Sequence, residues 1–342
     1  MDISAPLRVF VTGGLGFIGS SLIASLAKNH GPQIEVVVLD NFSSGSVQGL
    51  ADTLGITASE PAFDDDDSLQ LENILLYRGD VRDENRVQEA MGHADIIVHL
   101  AAHCSVPDSI KDPVRDFEYN VIGLFNVLNA ARRLETRPKI VFSSTNALLG
   151  DAQQPVSEAT LPSPISPYGA SKMASEAYLQ AFSASYGLPS VVLRFGNAYG
   201  PGSYASPNVV ARFVRRALNG EALEVFGDGS QTRDFIYIDD LTEAIEKAMF
   251  YSVEGFELFQ ISSGIETDVA SIAAGVCDAV RATGFDAPDL VFGTEREGDM
   301  PRNVSDVSKA REQLDWHAKT ELKDGLARTV EAFLRHRQRK AQ

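Results

Sequence analysis

Short apolar runs and longer amphipathic stretches alternate along the first 195 residues. Runs at Leu7 to Val11, Glu35 to Leu39, Ile74 to Tyr77, Asp95 to Leu100, Lys139 to Ser143 and Ser190 to Phe195 predict strands. The 95–100 run is nearly continuous, as expected of a strand buried on both faces of a parallel sheet. Between the runs, Phe17 to Lys28, a short segment capped by Asp83 and reaching Met91, Asp108 to Leu134, and Tyr168 to Tyr186 predict helices. In the third of these, Val114, Phe117, Val121, Leu124, Phe125 and Leu128 recur at helical spacing. Strands and helices in this rhythm predict an α/β fold, a doubly wound and mostly parallel sheet. Past Gly196 the rhythm changes. A helix near 209–218, a strand–turn–strand pattern from Glu224 to Ile238, and helices near 239–251, 267–282 and 320–337 predict a smaller mixed α/β lobe. The expected division is 1–190 for the first domain, with parts of 230–262 returning to it, 191–335 for the second lobe, and 336–342 as a tail.

The first strand runs into Gly13-Gly14-Leu15-Gly16-Phe17-Ile18-Gly19, which opens the first helix. Glycines at 13, 16 and 19 suit a turn of positive φ, close backbone approach to a pyrophosphate, and tight helix–strand packing. The N–H groups at the helix start then face the diphosphate, aided by the helix dipole. The second strand ends in Asp40, about 20 residues beyond the loop, where a ribose-binding acid is expected in a Rossmann unit. A carboxylate there accepts from a ribose diol and repels a 2′-phosphate. No Arg or Lys lies between Asp40 and Leu71 to neutralise one, so the cofactor expected is NAD rather than NADP.

The chain has 342 residues, 44% hydrophobic and 23% charged, enough for one large or two joined domains with a substantial core. A net charge of −17 argues against a nucleic-acid or anionic-membrane surface, though a pocket can still be locally basic. The start lacks the basic and apolar regions of a secretion signal, and no apolar stretch approaches the ~20 residues of a bilayer span. Cys104 and Cys277 make neither a disulfide framework nor a metal cluster, and the histidines show no metal-type spacing. A cytoplasmic enzyme with no metal is expected. The carboxylate run Asp64 to Asp67 reads as a solvated surface insertion, because consecutive ligands diverge and EF-hand spacing is absent.

Tyr168 and Lys172 stand four residues apart, on one face of a helix. A free phenol titrates near 10, so a base at neutral pH needs help. A cation at that distance, joined by a bound nicotinamide ring, is expected to stabilise the phenolate. The pair could then take a proton from a sugar hydroxyl as hydride leaves the same carbon. Thr145, just past the strand Lys139 to Ser143, could hydrogen-bond the same oxygen.

From about Arg8 to Trp316 the blocks GGLGFIG, LDNFSSG, GDVRD, HLAA, SVPDSIKDP, FSST, SPYGASK, RFGNAYGP, GDGSQTRDF, REGDMP and SDVSKA follow one another, with Asn120 in the helix after the fourth strand. In that order they resemble an extended short-chain dehydrogenase/reductase, specifically the NAD-dependent nucleotide-sugar epimerase/dehydratase family and its UDP-glucose 4-epimerase-like members. The resemblance implies that Gly13, Gly16, Phe17, Ile18, Gly19, Asp40 and Asn41 hold the NAD pyrophosphate and ribose. Asp80 and Val81 would border the adenine; Leu100, Ala101, Ala102, Asn120, Tyr168 and Lys172 would meet the nicotinamide side. Thr145, Tyr168 and Lys172 would be catalytic. Ser105, Thr145, Asn146, Asn197, Val209, Arg233, Arg296 and Asp299 would hold the nucleotide sugar. A homodimer built on the helices around 114–133 and 168–186 is implied as well.

The 4,6-dehydratases of that family carry Asp-Glu directly after the Thr, and decarboxylating members a Glu. Asn146-Ala147 stands here, which favours simple epimerisation: hydride leaves C4 for NAD, the 4-keto sugar turns, and hydride returns to the opposite face. Two features pull the other way. Leu148-Leu149-Gly150 replaces the usual Val-Tyr-Gly, and Thr145-Asn146 is also the pairing of CDP-sugar 2-epimerase-like members. Asn303 falls where 4-epimerases gate pocket size. A UDP-sugar 4-epimerase is therefore expected, with a 2-epimerase-like or dehydratase-like enzyme, or a non-catalytic NAD-binding protein, as alternatives.

Overall fold

The computed structural model describes residues 5–56, 63–64, 67–294 and 301–340. The early strands are β1 (Leu7–Thr12), β2 (Ile34–Asp40), β3 (Ser68–Leu71), β4 (Ile74–Arg78), β5 (Ile96–His99), β6 (Lys139–Thr145) and β7 (Ser190–Phe195). Between them lie α1 (Phe17–His30), α2 (Val47–Leu54), α3 (Glu84–Met91), α4 (Val106–Lys111), α5 (Pro113–Phe117), α6 (Gly123–Ala131) and α7 (Pro167–Tyr186). Later come β8 (Asn197–Tyr199), α8 (Val209–Leu218), β9 (Leu223–Phe226), β10 (Thr232–Tyr237), α9 (Ile238–Phe250), β11 (Phe256–Ile261) and β12 (Glu266–Asp268). They are followed by α10 (Val269–Ala282), β13 (Leu290–Gly293), α11 (Ser308–Gln313) and α12 (Leu322–Lys340).

An eight-stranded sheet runs β11-β7-β6-β5-β1-β2-β4-β3. β1 pairs in parallel with β2 and β5, β2 with β4, and β5 with β6, while β3 lies antiparallel on β4. Strand order reverses beside β1, with β2 on one side and β5 on the other. Such a switch point leaves a crevice beyond the carboxyl ends, where open α/β sheets bind ligands. Both faces of the sheet are covered, which explains the unbroken apolar runs. Phe10, Val37, Ile97, Ile140 and Phe142 join Val87 of α3, Leu124 and Leu128 of α6 and Leu179 of α7 in one buried cluster. On the other face Val38 and Ile23 close around Gly14. Each such side chain contributes about 1.5–3 kcal/mol by leaving water.

The chain divides into two units. The first is Met1–Gly150, Leu161–Arg194 and Thr242–Phe259; the second is Asp151–Thr160, Phe195–Leu241 and Gln260–Gln342. Residues 151–160, placed by sequence in the first domain, group with the second because their partners are there. Val156 bridges Ser305, Val304 N donates to Gln154 Oε1 (2.8 Å), and Gln260 N donates to Glu158 Oε1 (2.8 Å). The return to the first unit is Thr242–Phe259, narrower than 230–262. Within the second unit β12-β10-β8 form one small sheet and β13-β9 another. β9 and β10, adjacent in sequence, therefore pair with other strands and not with each other. Trp316 is buried and donates from Nε1 to Asp240 O (2.9 Å). Residues 336–340, set apart by sequence as a tail, continue α12.

Two further departures have local causes. The stretch 46–72, read as one long connection, contains α2, capped by Ser46, and the edge strand β3. Of the acidic run, Asp65 and Asp66 lie outside the described residues. The long helix expected over 108–134 is broken. Pro113 cannot donate to the preceding turn, so α4 ends and Asp112 caps α5 through Arg115 N (3.0 Å). A π-helical turn, Glu118–Ile122, then leads into α6. Among the described residues no helix is long and apolar enough to cross a membrane.

Candidate active site

At the β1 end the backbone makes the shape. Gly13 has φ of 72°, and a Cβ there would stand 2.7 Å from Ala101 N, just past β5. At Gly19 a Cβ would stand 2.3 Å from Gly13 O, so only glycine lets α1 sit this close to its loop. Gly16 caps α1 without a side-chain hydrogen bond, which leaves the first-turn N–H groups of Phe17 and Ile18 for an anion. Asp40 ends β2, almost fully buried; its carboxylate accepts from Leu15 N (2.9 Å) and Phe42 N (2.8 Å). Burial pushes that carboxyl up, and the two backbone donors oppose the rise. Each oxygen keeps a lone pair for a further donor such as a ribose hydroxyl. Asn41 donates to Asp80 Oδ2 (2.9 Å), Arg82 also donates to Asp80, and Val81 packs against Gly123. Leu100 N and Ala101 N donate to Thr12 O (3.1 Å) and Thr12 Oγ1 (3.3 Å), which holds the β5 exit against the glycine loop. A glycine cradle, an uncapped helix start and an acid at the next strand end fit a dinucleotide.

The sheet adds one residue to the cofactor argument. Arg78 pairs in register with Asp40, and its guanidinium lies over Phe42 (5.1 Å) and Phe63 (4.2 Å). A cation thus stands on the neighbouring strand, beyond the segment 41–71 in which none occurs.

At the β6 end the side chains do the chemistry. Ser166 caps α7 by accepting from Gly169 N (3.1 Å). A Cβ on Gly169 would stand 2.5 Å from Ala147 O, so this glycine seats the first turn of α7 on the β6 exit. Tyr168 is buried and hydrogen-bonded to Thr145, whose Oγ1 also accepts from Ala147 N (3.2 Å). Lys172 is 2% exposed; its Nζ donates to Ser143 O (2.9 Å) and lies 4.6 Å from the Phe142 ring centre. Burial pushes Lys172 down to about 8.

The expectation that Lys172 lowers the phenol needs correcting for the protein alone. The ammonium is turned to the Ser143 carbonyl, and burial pushes the Tyr168 phenol far up, with only the Thr145 hydrogen bond opposing it. The phenol therefore keeps its proton until further positive charge enters the pocket.

Asn120 lies in the π-helical turn, fully buried. Its amide donates to His103 O (3.0 Å), Asp116 Oδ1 (3.1 Å) and Ser171 Oγ (3.0 Å), and its oxygen accepts from His103 N (2.8 Å). Ser105 caps α4 by accepting from Asp108 N (3.3 Å), and Asn146 is buried at the β6 exit. Asn197 on β8, Val209 at the start of α8 and Arg233 on β10 belong to the second unit; Asn197 pairs in register with Phe235, two residues past Arg233. Arg233 Nη1 donates to Thr232 O (2.7 Å). Arg296 and Asp299 lie outside the described residues.

Sequence reasoning missed a layer of buried groups behind the catalytic pair. Glu176 accepts from Arg194 Nε (2.9 Å), Arg194 Nη2 (2.7 Å) and Ser144 Oγ (2.5 Å). His99 shares a hydrogen bond with Thr12 Oγ1 (2.8 Å), and burial, with Lys172 adding to it, pushes its imidazole down to about 3. Asp116 and Cys104 act electrostatically on both Tyr168 and Lys172. Glu176 at i+4 from Lys172 was the one legible signal; the others come from distant segments.

The profile of the NAD dependent epimerase/dehydratase family matches residues 9–261. A UDP-glucose 4-epimerase of Mycolicibacterium smegmatis is 34% identical over 96% of this chain and 98% of its own length. A UDP-N-acetyl-alpha-D-glucosaminuronate decarboxylase of Bacillus cytotoxicus is 30% identical over 95% of this chain and 97% of its own. The crystal structure of UDP-glucose 4-epimerase from Thermotoga maritima, solved with UDP-glucose, superposes with a TM-score of 0.84 at 34% identity, covering 97% of this chain and 100% of that one. With a match across most of the first unit and relatives aligned over nearly the whole length, this chain belongs to the NAD dependent epimerase/dehydratase family.

Proposed function

We propose that this protein is a UDP-sugar 4-epimerase that works through a transient 4-keto sugar. The observation that carries the reading is the β6 exit: Thr145, Tyr168 and Lys172 are grouped there, while Asn146-Ala147 supplies no carboxylate. Eliminating water needs an acid for the departing hydroxyl, and this turn does not offer one. Tyr168 takes the proton of the C4 hydroxyl and later returns it. Thr145 holds the same oxygen, and the Lys172 ammonium stabilises the charge left on the phenol. NAD, when bound, accepts the hydride and gives it back. Asn197 and Arg233, with Arg296 and Asp299, are assigned to the nucleotide diphosphate, for which arginine forks are suited. Two unpaired cysteines, Cys104 and Cys277, are in keeping with action in the reducing cytoplasm.

A homodimer is part of the proposal. Ile110, Val114 and Phe117 on α4 and α5, with Met173 and Tyr186 on α7, leave apolar side chains at 62, 66, 50, 41 and 48% exposure. Faces of this kind mark protein–protein contacts. Light scattering on the protein and on Val114→Glu tests it; a monomer in both cases sinks the dimer.

The function is tested by incubating the protein with UDP-, dTDP-, CDP- and GDP-sugars and reading products by NMR. Inversion at C4 of a UDP-sugar with no change of mass is the expected result. Loss of water, loss of carbon dioxide or inversion at C2 replaces it with another reaction of the family.

A further inference from the structure

Two carboxylates are buried behind the Tyr168–Lys172 turn, and the mechanism above uses neither. Glu176 is already matched by the bidentate Arg194 guanidinium, which donates at 2.9 and 2.7 Å. Asp116 on α5 is in a different position. It is 1% exposed, its Oδ1 accepts from the neutral Asn120 amide, and its Oδ2 has no hydrogen-bond partner. His103 Nδ1 stands 3.6 Å from Oδ1, outside hydrogen-bond range. A carboxylate kept from water by one neutral donor is strongly disfavoured unless a nearby cation compensates.

Lys172 is such a cation. Its Nζ meets a carbonyl oxygen and a ring face, and it makes no salt bridge among the described residues. Asp116 is coupled to the same turn of α7 by hydrogen bonds: Asn120 Nδ2 also donates to Ser171 Oγ, and Ser171 Oγ donates to Tyr168 O (3.0 Å). Ser175 Oγ donates to Asn120 O (2.9 Å) and ties the next turn. Electrostatically, Asp116 strengthens the hold of Lys172 and of Tyr168 on their protons. Cys104 acts on both in the same sense, Glu176 does so on Lys172, and His99 is kept neutral by burial.

We propose that Asp116 is the buried counter-charge of Lys172, a positioning residue that cancels the ammonium so that a second positive charge, an oxidised nicotinamide ring, can enter the same pocket. The inference rests on the NAD-dependent reading. Without Asp116 an ammonium and a cationic ring would repel each other with little water to screen them. The neutral, reduced ring would feel no such repulsion.

The test is a calorimetric titration of the full-length protein and of Asp116→Asn with oxidised and with reduced NAD. In Asp116→Asn the affinity for the oxidised form should fall about tenfold relative to the reduced form, as expected for losing one charge at this range in a partly screened site. Asp116→Glu should keep the wild-type ratio. An unchanged ratio in Asp116→Asn overturns the proposal, and equal weakening of both forms does too, because that is what a purely structural role produces. If Asp116→Asn does not fold, Asp116→Ser removes the same charge with a smaller side chain and the same ratio decides. If the unaltered protein binds neither form, the proposed function falls and this inference with it; a flat ratio in a protein that binds both sinks the inference alone.

Discussion

The two ends of the sheet's ligand edge are built differently. At the β1 end recognition is a matter of backbone: glycines of fixed conformation, an uncapped helix start, and an Asp40 carboxylate already engaged by two N–H groups. At the β6 end it is a matter of buried ionisable side chains shifted by one another, with Lys172 at about 8 and the Tyr168 phenol far above its usual range. The first end works by shape and tolerates little added volume. The second works by charge and tolerates little change in its neighbours.

The largest expected effect sharpens that division. Tyr168→Phe keeps the ring and deletes the acid–base oxygen, so turnover should fall about a thousandfold while dinucleotide stays bound. Activity beside the NAD content of the purified protein checks this, and a variant that loses both shows that the two ends are not separable. Next is Glu176→Gln, which leaves the Arg194 guanidinium buried without its carboxylate. Loss of about 3 kcal/mol or more of stability in urea is expected; a loss under 1 kcal/mol would mean water reaches the pair. Gly19→Ala strikes the other end. Its Cβ meets Gly13 O at 2.3 Å, and backbone against backbone cannot yield cheaply. About 2 kcal/mol of stability and most of the dinucleotide affinity should be lost, with the melting temperature and calorimetry as readouts.

The smallest effect is on pH dependence. Lys172 is lowered from 10.5 to about 8 in the folded protein. Between those values the unfolded chain binds the extra proton, so stability should rise with pH across that window. The Lys172 ammonium itself is lost as pH passes about 8, so kcat/KM should fall on the same side. Melting temperatures and rates between pH 7 and 10 check both slopes, and Lys172→Met should flatten the first.

This contrast also explains what could be read without coordinates. The glycine spacing, the strand-end acid and the Tyr168–Lys172 pair lie within short stretches, where period and turn chemistry carry the information. Most strands were legible for the same reason. The π-helical turn was not, because Glu118 to Ile122 keeps an ordinary helical composition and the extra residue shows only against α7. Arg194, Asp116 and His103 were missed because each acts on a partner far away in sequence. The grouping of 151–160 with the second unit depends on strand pairing at Ser305, which no local pattern announces.

The widened turn at Glu118–Ile122 has a consequence for how this helix can vary. By taking up one residue more than a regular turn, it uncouples the angular settings of the segments on either side. Upstream, Asp116 looks to the catalytic pair; downstream, Leu124 and Leu128 look to the sheet and Asn126 reaches the carbonyls of Val81 and Arg82. Deleting one residue there would restore regular winding and rotate everything beyond it by roughly 100°. Leu124 would then leave the core. Insertions and deletions should therefore be tolerated in the flanking loops long before they are tolerated in these five residues.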